Sequence, residues 1–186
     1  MSKLLFISAD YLKENSVINL NVDDKILAMC IERSQDTMVQ ENIGTTLYNH
    51  LQTVIIDSGS TGLTSYEATL LDDYIIPGLI NQSIVAASMA LSFKIQTKGV
   101  VQQNSENSSA VDEIRLEYMR SEYRKDAEFY FQRAIDYIKS NYNEFRDYYN
   151  VGSDVDLKGL DTSYKCPIVL GGKCCGGSKE NDYHDC

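Results

Sequence analysis

The longest apolar stretch of the chain runs from Ser65 to Thr97, and its apolar residues recur at helical spacing. Thr64 and Ser65 are candidate N-caps for a helix that begins there. Pro77 interrupts the run, and because proline lacks a backbone N–H it predicts a kink, or a break after which Pro77 restarts the helix. We expect the part after Pro77, which is rich in small apolar residues, to form the central core helix.

A second long helix is predicted from about Ser109 to Asn141. Its aromatic and small residues alternate at spacings of four and three, which indicates a heptad-like seam. The seam consists of Tyr123, Ala127, Tyr130, Ala134 and Tyr137.

Shorter helices are predicted before the first long run. Ser8 is a good N-cap for the first of them, and Asn21 for the second. Gly44 provides a C-terminal stop for the second helix, and a third follows over residues 45–59. Together with the two long runs, these segments predict a mainly α fold in which the long helices are antiparallel.

The segment between the two long helices has a different composition. Gly99 favours a turn, the β-branched residues Val100 and Val101 follow it, and a polar loop "QQNSENSS" comes next. This pattern predicts a small hairpin, or β-tongue, that projects between the long helices.

The chain beyond residue 149 is glycine-rich, weakly patterned and poor in large apolar residues. Such a composition does not pack a core by itself. We therefore predict two parts: a helical domain over residues 1–149 and an extended Gly/Cys-rich C-terminal arm over residues 150–186.

Composition and charge narrow the functional classes. A hydrophobic fraction of 43% and a charged fraction of 24% are typical of a soluble globular protein. A net charge of -10 argues against a protein that grips a phosphate backbone. We see no stretch close to the roughly 20 apolar residues of a membrane span, and no secretory signal at the N-terminus. We expect synthesis in the cytosol, where thiols stay reduced.

The sequence offers little that resembles an active site. It contains no phosphate-binding glycine loop, dinucleotide fingerprint, HExxH pair or nucleophile elbow. His50 has no Cys, Ser or acidic partner at catalytic spacing, so we interpret it as a surface or hydrogen-bonded histidine. Cys30 lies on an apolar helical face, which favours a buried structural thiol. We predict no enzymatic activity and no cofactor.

The C-terminal arm contains four of the five cysteines. Together with the nearby histidine they suit a zinc site in number but not in spacing, because structural sites use closely spaced pairs. In the less favoured interpretation, a metal site, the ligands are drawn from Cys166, Cys174, Cys175, His184 and Cys186. The favoured interpretation is an arm that becomes ordered on a partner, with the apolar segment Pro167–Leu170 as its anchor.

Several motifs, taken in order, resemble one known family. They are "SADYLK" near the start, "IGTTLYNHL" at residues 43–51, "YEATLLDDYIIPGL" at 66–79, "FKIQTKGV" at 93–100, and the helix at 113–141. Their order and spacing are similar to those of the head–tail connectors, or adaptors, which form the ring beneath the portal of tailed bacteriophages. The likeness is greatest to the connector-like proteins of crAss-like gut phages, and it covers about residues 5–148.

The resemblance implies a non-enzymatic virion protein of the neck or tail region that is assembled in the host cytoplasm. It implies a ring, most often of twelve copies, that docks on the portal and carries the next neck or tail protein. Genomic DNA would be present only as the content of the channel, and no membrane would be involved. We expect contacts with other copies or partners in segments that would not be ordered in an isolated protomer. These contacts are Lys98, Gly99, Val100, Val101, Tyr148, Tyr149, Pro167, Ile168, Val169 and Leu170.

Two other functions compete with a connector. One is an interaction module whose Cys/His-rich tail binds zinc and recruits a partner. The other is a small hydrolase built on an acidic pair, for which the sequence provides the least support.

Overall fold

A computed structural model describes residues 4–96, 99–102, 113–149 and 156–159 of the chain. These residues are mainly helical, as the sequence predicts. The helices are α1 (Ala9–Glu14), α2 (Asp24–Ser34), α3 (Gln40–Ser58), α4 (Ser65–Leu70), α5 (Ile76–Ser92), α6 (Glu113–Ser140) and α7 (Arg146–Tyr149). Two π-helical turns, Gln35–Val39 and Leu71–Ile75, join α2 to α3 and α4 to α5, and a short 3₁₀ turn, Gly59–Gly62, follows α3.

The caps of the first two helices confirm one prediction and correct another. The Ser8 side chain accepts a hydrogen bond from the Tyr11 amide and caps α1, as expected. The cap of α2 is Asp23, whose carboxylate accepts from the Lys25 amide at 2.9 Å. The prediction of Asn21 as this cap is wrong, because Asn21 lies in the preceding turn, where its amide donates to Asn19.

Gly44 interrupts the helical backbone inside α3, as the prediction of a helix stop requires. Its φ of 79° and ψ of 156° lie in a region that is almost exclusive to glycine. The helical path that begins at α2 therefore ends at Ile43, and a new helical segment starts at Thr45.

The run that contains Pro77 forms one continuous helical path, so the helix is not broken at the proline. The Ile76 amide donates to the Leu71 carbonyl, which is the longer i→i−5 bond of a π turn. The helix can absorb Pro77 because the hydrogen-bond ladder is already shifted where the proline N–H is missing. Thr64 is the N-cap of this path, as predicted.

This helical path is also more apolar than we expected from the sequence. By length and composition alone, Ser65–Ser92 could cross a membrane, with a mean hydropathy of 1.4 over its most apolar window. The expectation that no segment approaches a membrane span is therefore wrong. Buried core helices pass the same test, and α5 packs between α2 and α6 in this chain.

The helices α5 and α6 run in opposite directions. Gly78 of α5 lies against the ring of Phe131, so that a Cβ on Gly78 would be 3.1 Å from that ring. Ten residues further along α5, Ser88 meets Arg120, which lies eleven residues earlier on α6. This contact order makes the pair antiparallel, and the core is centred on it and on α2 and α3.

The core face of α6 shares Ala127 and Ala134 with the predicted seam but not its three tyrosines. The tyrosines Tyr123, Tyr130 and Tyr137 are only half-buried. The face that packs on α5 consists of Ala127, Phe131, Ala134 and Ile138. The tyrosines border this core because a phenol keeps its hydroxyl in water while its ring covers apolar neighbours.

Two short strands follow α5 directly. Strand β1 (Phe93–Gln96) pairs antiparallel with β2 (Gly99–Gln102), with Phe93 opposite Gln102 and Gln96 opposite Gly99.

Candidate partner-binding surfaces

The predicted partner contacts fall into three groups. Gly99, Val100 and Val101 form most of β2. Lys98 lies outside the described residues, and so do the apolar segment Pro167–Leu170 and all five candidate zinc ligands. Tyr148 and Tyr149 end α7.

The two tyrosines of α7 have different surroundings. Tyr148 is buried inside the chain, and its ring is so close to Gly159 that a Cβ on Gly159 would lie 2.2 Å from it. Tyr149 is exposed and lies beside the ring of Tyr142, with 4.5 Å between the ring centroids. Tyr149 and Tyr142 are therefore the part of this cluster that a second protein can reach.

The segment at residues 156–159 is fastened to the Gly44 break in α3. The Thr45 amide donates to the Leu157 carbonyl at 3.0 Å. The first amides of a helical segment that starts at Thr45 have no acceptor within that helix. The Leu157 carbonyl is the acceptor for one of these amides. The missing side chain of Gly44 makes room for this contact, because a Cβ there would lie 2.6 Å from the Gly159 nitrogen. We call this arrangement the arm clamp.

A polar relay completes the arm clamp. Gln40 Nε2 donates to Thr45 Oγ1 at 2.9 Å, and Thr45 Oγ1 donates to Asp156 Oδ1 at 2.6 Å. The hydrogen bond from Thr45, together with one from the Leu157 amide, lowers the pKa of the Asp156 carboxyl. The Asp156 carboxylate therefore stays ionised to a lower pH than an ordinary aspartate does.

A buried glutamine fixes the other end of the chain. Gln35 Oε1 accepts from the Phe6 amide at 2.9 Å, while its Nε2 donates to the Leu4 carbonyl and to the Tyr48 hydroxyl, each at 2.8 Å. Gln52 donates to the same two acceptors. The residues before α1 are therefore tied to the core by a satisfied amide network.

His50 has an acidic partner that the sequence analysis did not identify. Its Nε2 lies 2.7 Å from Glu67 Oε1, and Glu67 also accepts from the amide and the hydroxyl of Thr64. Burial opposes the ionisation of Glu67, but the hydrogen bonds from Thr64 and His50 outweigh it and lower the pKa of the carboxyl. Glu67 also closes a capping box with Thr64 at the start of α4. The prediction of a hydrogen-bonded histidine is confirmed.

Cys30 is buried, as predicted. Burial raises the pKa of its thiol, against a smaller lowering effect of Arg33. Within the described ranges, no cluster of three or more His, Cys, Asp or Glu side chains could hold a metal ion.

The sequence analysis also missed a set of exposed apolar residues on α6. Ile114 and Tyr118 are 77% and 69% exposed, and Phe129 is 58% exposed. Their spacing of four and eleven residues places them on one face of the helix, and a search for a second apolar stripe would have found them.

Comparison with known proteins identifies a family. No curated protein matches the chain, and no solved structure does. A family of unknown function, DUF6712, matches residues 39–154. The match runs from the end of the first π turn to the start of the arm and contains Gly44, α5, the hairpin and α6. The chain belongs to the DUF6712 family.

Proposed function

We propose that this chain is a virion structural protein: a head–tail connector, or adaptor, of a tailed bacteriophage. Its copies form a ring that docks on the portal, joins the capsid to the tail and encloses part of the DNA channel. In this proposal the chain catalyses no reaction, acts in the neck of the particle, and assembles in the host cytoplasm without a membrane.

The observation that carries the proposal is the correspondence between the connector-like motifs and the elements of the fold. The motif at residues 43–51 spans the Gly44 break that receives the arm. The motif at 66–79 spans the π turn and Pro77. The motif at 93–100 falls in the hairpin, and the final motif covers α6. Four of the five motifs thus coincide with defined elements of the fold, which supports a connector-type domain.

The proposal assigns tasks to the two segments that leave the helical body. The hairpin β1–β2 would act as the β-tongue between the long antiparallel helices and offer strand edges to a neighbour. The arm over residues 150–186 would hold a neighbouring copy or a tail protein. The arm clamp supports this division, because it anchors residues 156–159 of the arm to α3.

The proposal is tested on the purified full-length chain. Native mass spectrometry and negative-stain electron microscopy, alone and with the portal protein of the same particle, are expected to show a closed ring, most often of twelve copies. A chain that stays strictly monomeric under both conditions would contradict a ring.

Elemental analysis separates the connector from the zinc-binding module. A connector is expected to contain no stoichiometric zinc. One zinc ion per monomeric chain would overturn the proposal in favour of a metal-stabilised interaction protein.

A further inference from the structure

The arm clamp joins two parts of the chain through a few direct contacts. The receiving groups are Gly44 and Thr45 of α3 and the Tyr148 ring of α7. They hold residues 156–159, which follow α7 after the six residues 150–155. The four held residues thus lie on the helical domain as a short bound peptide would, and each of them can be compared with one position of such a peptide.

The first position of the held segment requires a short acceptor. Thr45 Oγ1 accepts from Gln40 Nε2 at 2.9 Å, so its single proton is left for Asp156 Oδ1, 2.6 Å away. The same oxygen of Asp156 accepts from the Leu157 amide at 2.9 Å, which holds the side chain in place. A hydrogen bond to a carboxylate is charge-assisted and stronger than one to a neutral amide oxygen. The clamp therefore favours aspartate at this position.

The fourth position admits only glycine. A Cβ on Gly159 would lie within 2.8 Å of three atoms of the Tyr148 ring, and this ring is buried, so its neighbours hold it in place. Gly159 also contacts the backbone of Gly44, where a Cβ would lie 2.6 Å from the Gly159 nitrogen. Neither glycine has room for a side chain.

The second and third positions place no such demand on the side chain. Leu157 contributes its backbone carbonyl, which accepts from the Thr45 amide at 3.0 Å, while the residue is 37% exposed. Lys158 is exposed as well. The clamp therefore recognises an aspartate followed three residues later by a glycine, which we call the Asp-x-x-Gly motif. Asp156 begins the single such motif in the sequence.

We propose that the arm clamp is a peptide-binding site that this chain occupies with its own arm. The ligand is a peptide segment with the Asp-x-x-Gly motif, and a partner segment that carries this motif would displace the arm and take its place on α3. This inference goes beyond the connector function. It does not require a ring, because all the contacts on which it depends are made within one chain.

The contact is small enough for such an exchange. Asp156, Leu157 and Lys158 are exposed, so the held segment buries little apolar surface. It is bound through two hydrogen bonds from Thr45 and the close fit of Gly159. The chain's own segment has the advantage of a short tether, which sets an effective concentration in the millimolar range. A partner segment that is delivered at a similar local concentration competes with it.

Gly159→Ala empties the site and leaves the receiving groups unchanged. The new Cβ collides with the Tyr148 ring, so the arm is expected to leave while Gly44 and Thr45 keep their conformation. In the full-length chain we expect the Thr45 amide to exchange with solvent about tenfold faster than in the wild type, with an unchanged helical circular dichroism spectrum. Lys158→Ala is the matched control and is expected to exchange as the wild type does.

Synthetic peptides test recognition by the emptied site. The native peptide has the sequence of residues 153–162. It is expected to shift the Thr45 amide resonance of the ¹⁵N-labelled Gly159→Ala chain back toward its wild-type position, and to saturate. Peptides with alanine in place of Asp156 or Gly159 are expected to bind about fivefold more weakly, because each lacks one selected feature. A peptide with alanine in place of Lys158 should bind as the native one does.

A titration of the wild-type chain tests whether the arm occupies the site. The native peptide is expected to bind the wild-type chain about threefold more weakly than it binds Gly159→Ala, because it must compete with the arm. Equal affinity for the two chains would overturn self-occupation. Equal binding of the native peptide and of the peptide with alanine in place of Gly159 would overturn the motif. No binding to Gly159→Ala at millimolar peptide concentrations would overturn the peptide site itself.

Discussion

The backbone of Gly159 lies directly against Gly44, so that a Cβ on Gly44 would be 2.6 Å from the Gly159 nitrogen. Two residues 115 positions apart are therefore in contact only because Gly44 has no side chain. The contact places the start of the C-terminal arm on the one break inside α3, where the Thr45 amide needs an acceptor outside its own helix.

We expect Gly44→Ala to destabilise the domain by more than the backbone strain of about 1–3 kcal/mol, because the new Cβ also collides with Gly159. Gly59→Ala is the matched control. Gly59 also has a positive φ, of 66°, but a Cβ there meets nothing within 4 Å. Urea unfolding of both variants measures the difference. Equal losses of unfolding free energy would show that the contact with Gly159 does not contribute.

The pKa of Asp156 should depend on Thr45. Removing the hydroxyl with Thr45→Val is expected to raise the pKa of the Asp156 carboxyl toward its ordinary value, because the hydrogen bond from Thr45 is the main cause of its lowering. Carboxyl ¹³C NMR titration measures this change. Thr53→Val is the control, since the Thr53 hydroxyl donates to the Asn49 carbonyl of its own helix on an exposed face. An unchanged Asp156 pKa in Thr45→Val would contradict the relay.

The same shift gives the arm clamp a pH dependence. The folded pKa of Asp156 lies below the unfolded value of about 3.9, so its contribution is fully present above that value. The contribution is lost as the pH falls through the lower, folded pKa. Limited proteolysis between residues 149 and 160 is expected to be faster below this window than at pH 6, provided that the helical domain is still folded by circular dichroism.

The capping box on α4 should contribute measurably to stability. Thr64→Ala removes the cap and is expected to cost about 1 kcal/mol of unfolding free energy. It should also raise the pKa of Glu67, because hydrogen bonds from Thr64 help to lower it. Urea unfolding at pH 7 measures the loss. Thr53→Ala, which removes an exposed mid-helix hydroxyl, is the control, and a comparable loss in both variants would argue against the cap.

Glu67 adds a second acid-sensitive contribution. Its folded pKa lies below the unfolded value of about 4.3, so the stability it provides is present above that value and is lost as the pH falls through the folded pKa. In Thr64→Ala the folded pKa lies closer to the unfolded value, so the loss of stability on acidification is expected to be smaller than in the wild type. Unfolding free energies measured between pH 6 and pH 3 should show the difference, and superimposable pH profiles would contradict it.

Gln35 and Gln52 both donate hydrogen bonds to Leu4, before α1, so substitutions at the two positions can be compared directly. Gln35→Met is expected to cost about 1–3 kcal/mol, because it removes a buried amide and leaves the partly buried Phe6 amide without its acceptor. Gln52→Met should cost less, since the Leu4 carbonyl and the Tyr48 hydroxyl both keep Gln35 as a donor. Urea unfolding distinguishes them, and a larger loss for Gln52→Met would overturn this account.

Local patterns were sufficient for much of the helical layout. Ser8 and Thr64 act as caps because capping depends on side chains within three residues. Gly44 ends a helical segment because its backbone conformation excludes other residues. Pro77 was harder to interpret, because a π turn that absorbs a proline depends on the packing of the whole helix rather than on the neighbouring residues.

The sequence alone therefore determined a mainly α chain with the Ser8 and Thr64 caps, the Gly44 break and a buried Cys30. Only the tertiary structure decided which face of α6 enters the core, that Glu67 is the partner of His50, and that Gly159 rests on Gly44. The reason is physical: helix periodicity and caps arise from contacts a few residues apart. Two apolar stripes on one helix look equally suited to burial until the partner helix occupies one of them. On α6 that partner is α5, and Ile114, Tyr118 and Phe129 are exposed on the other side of the helix.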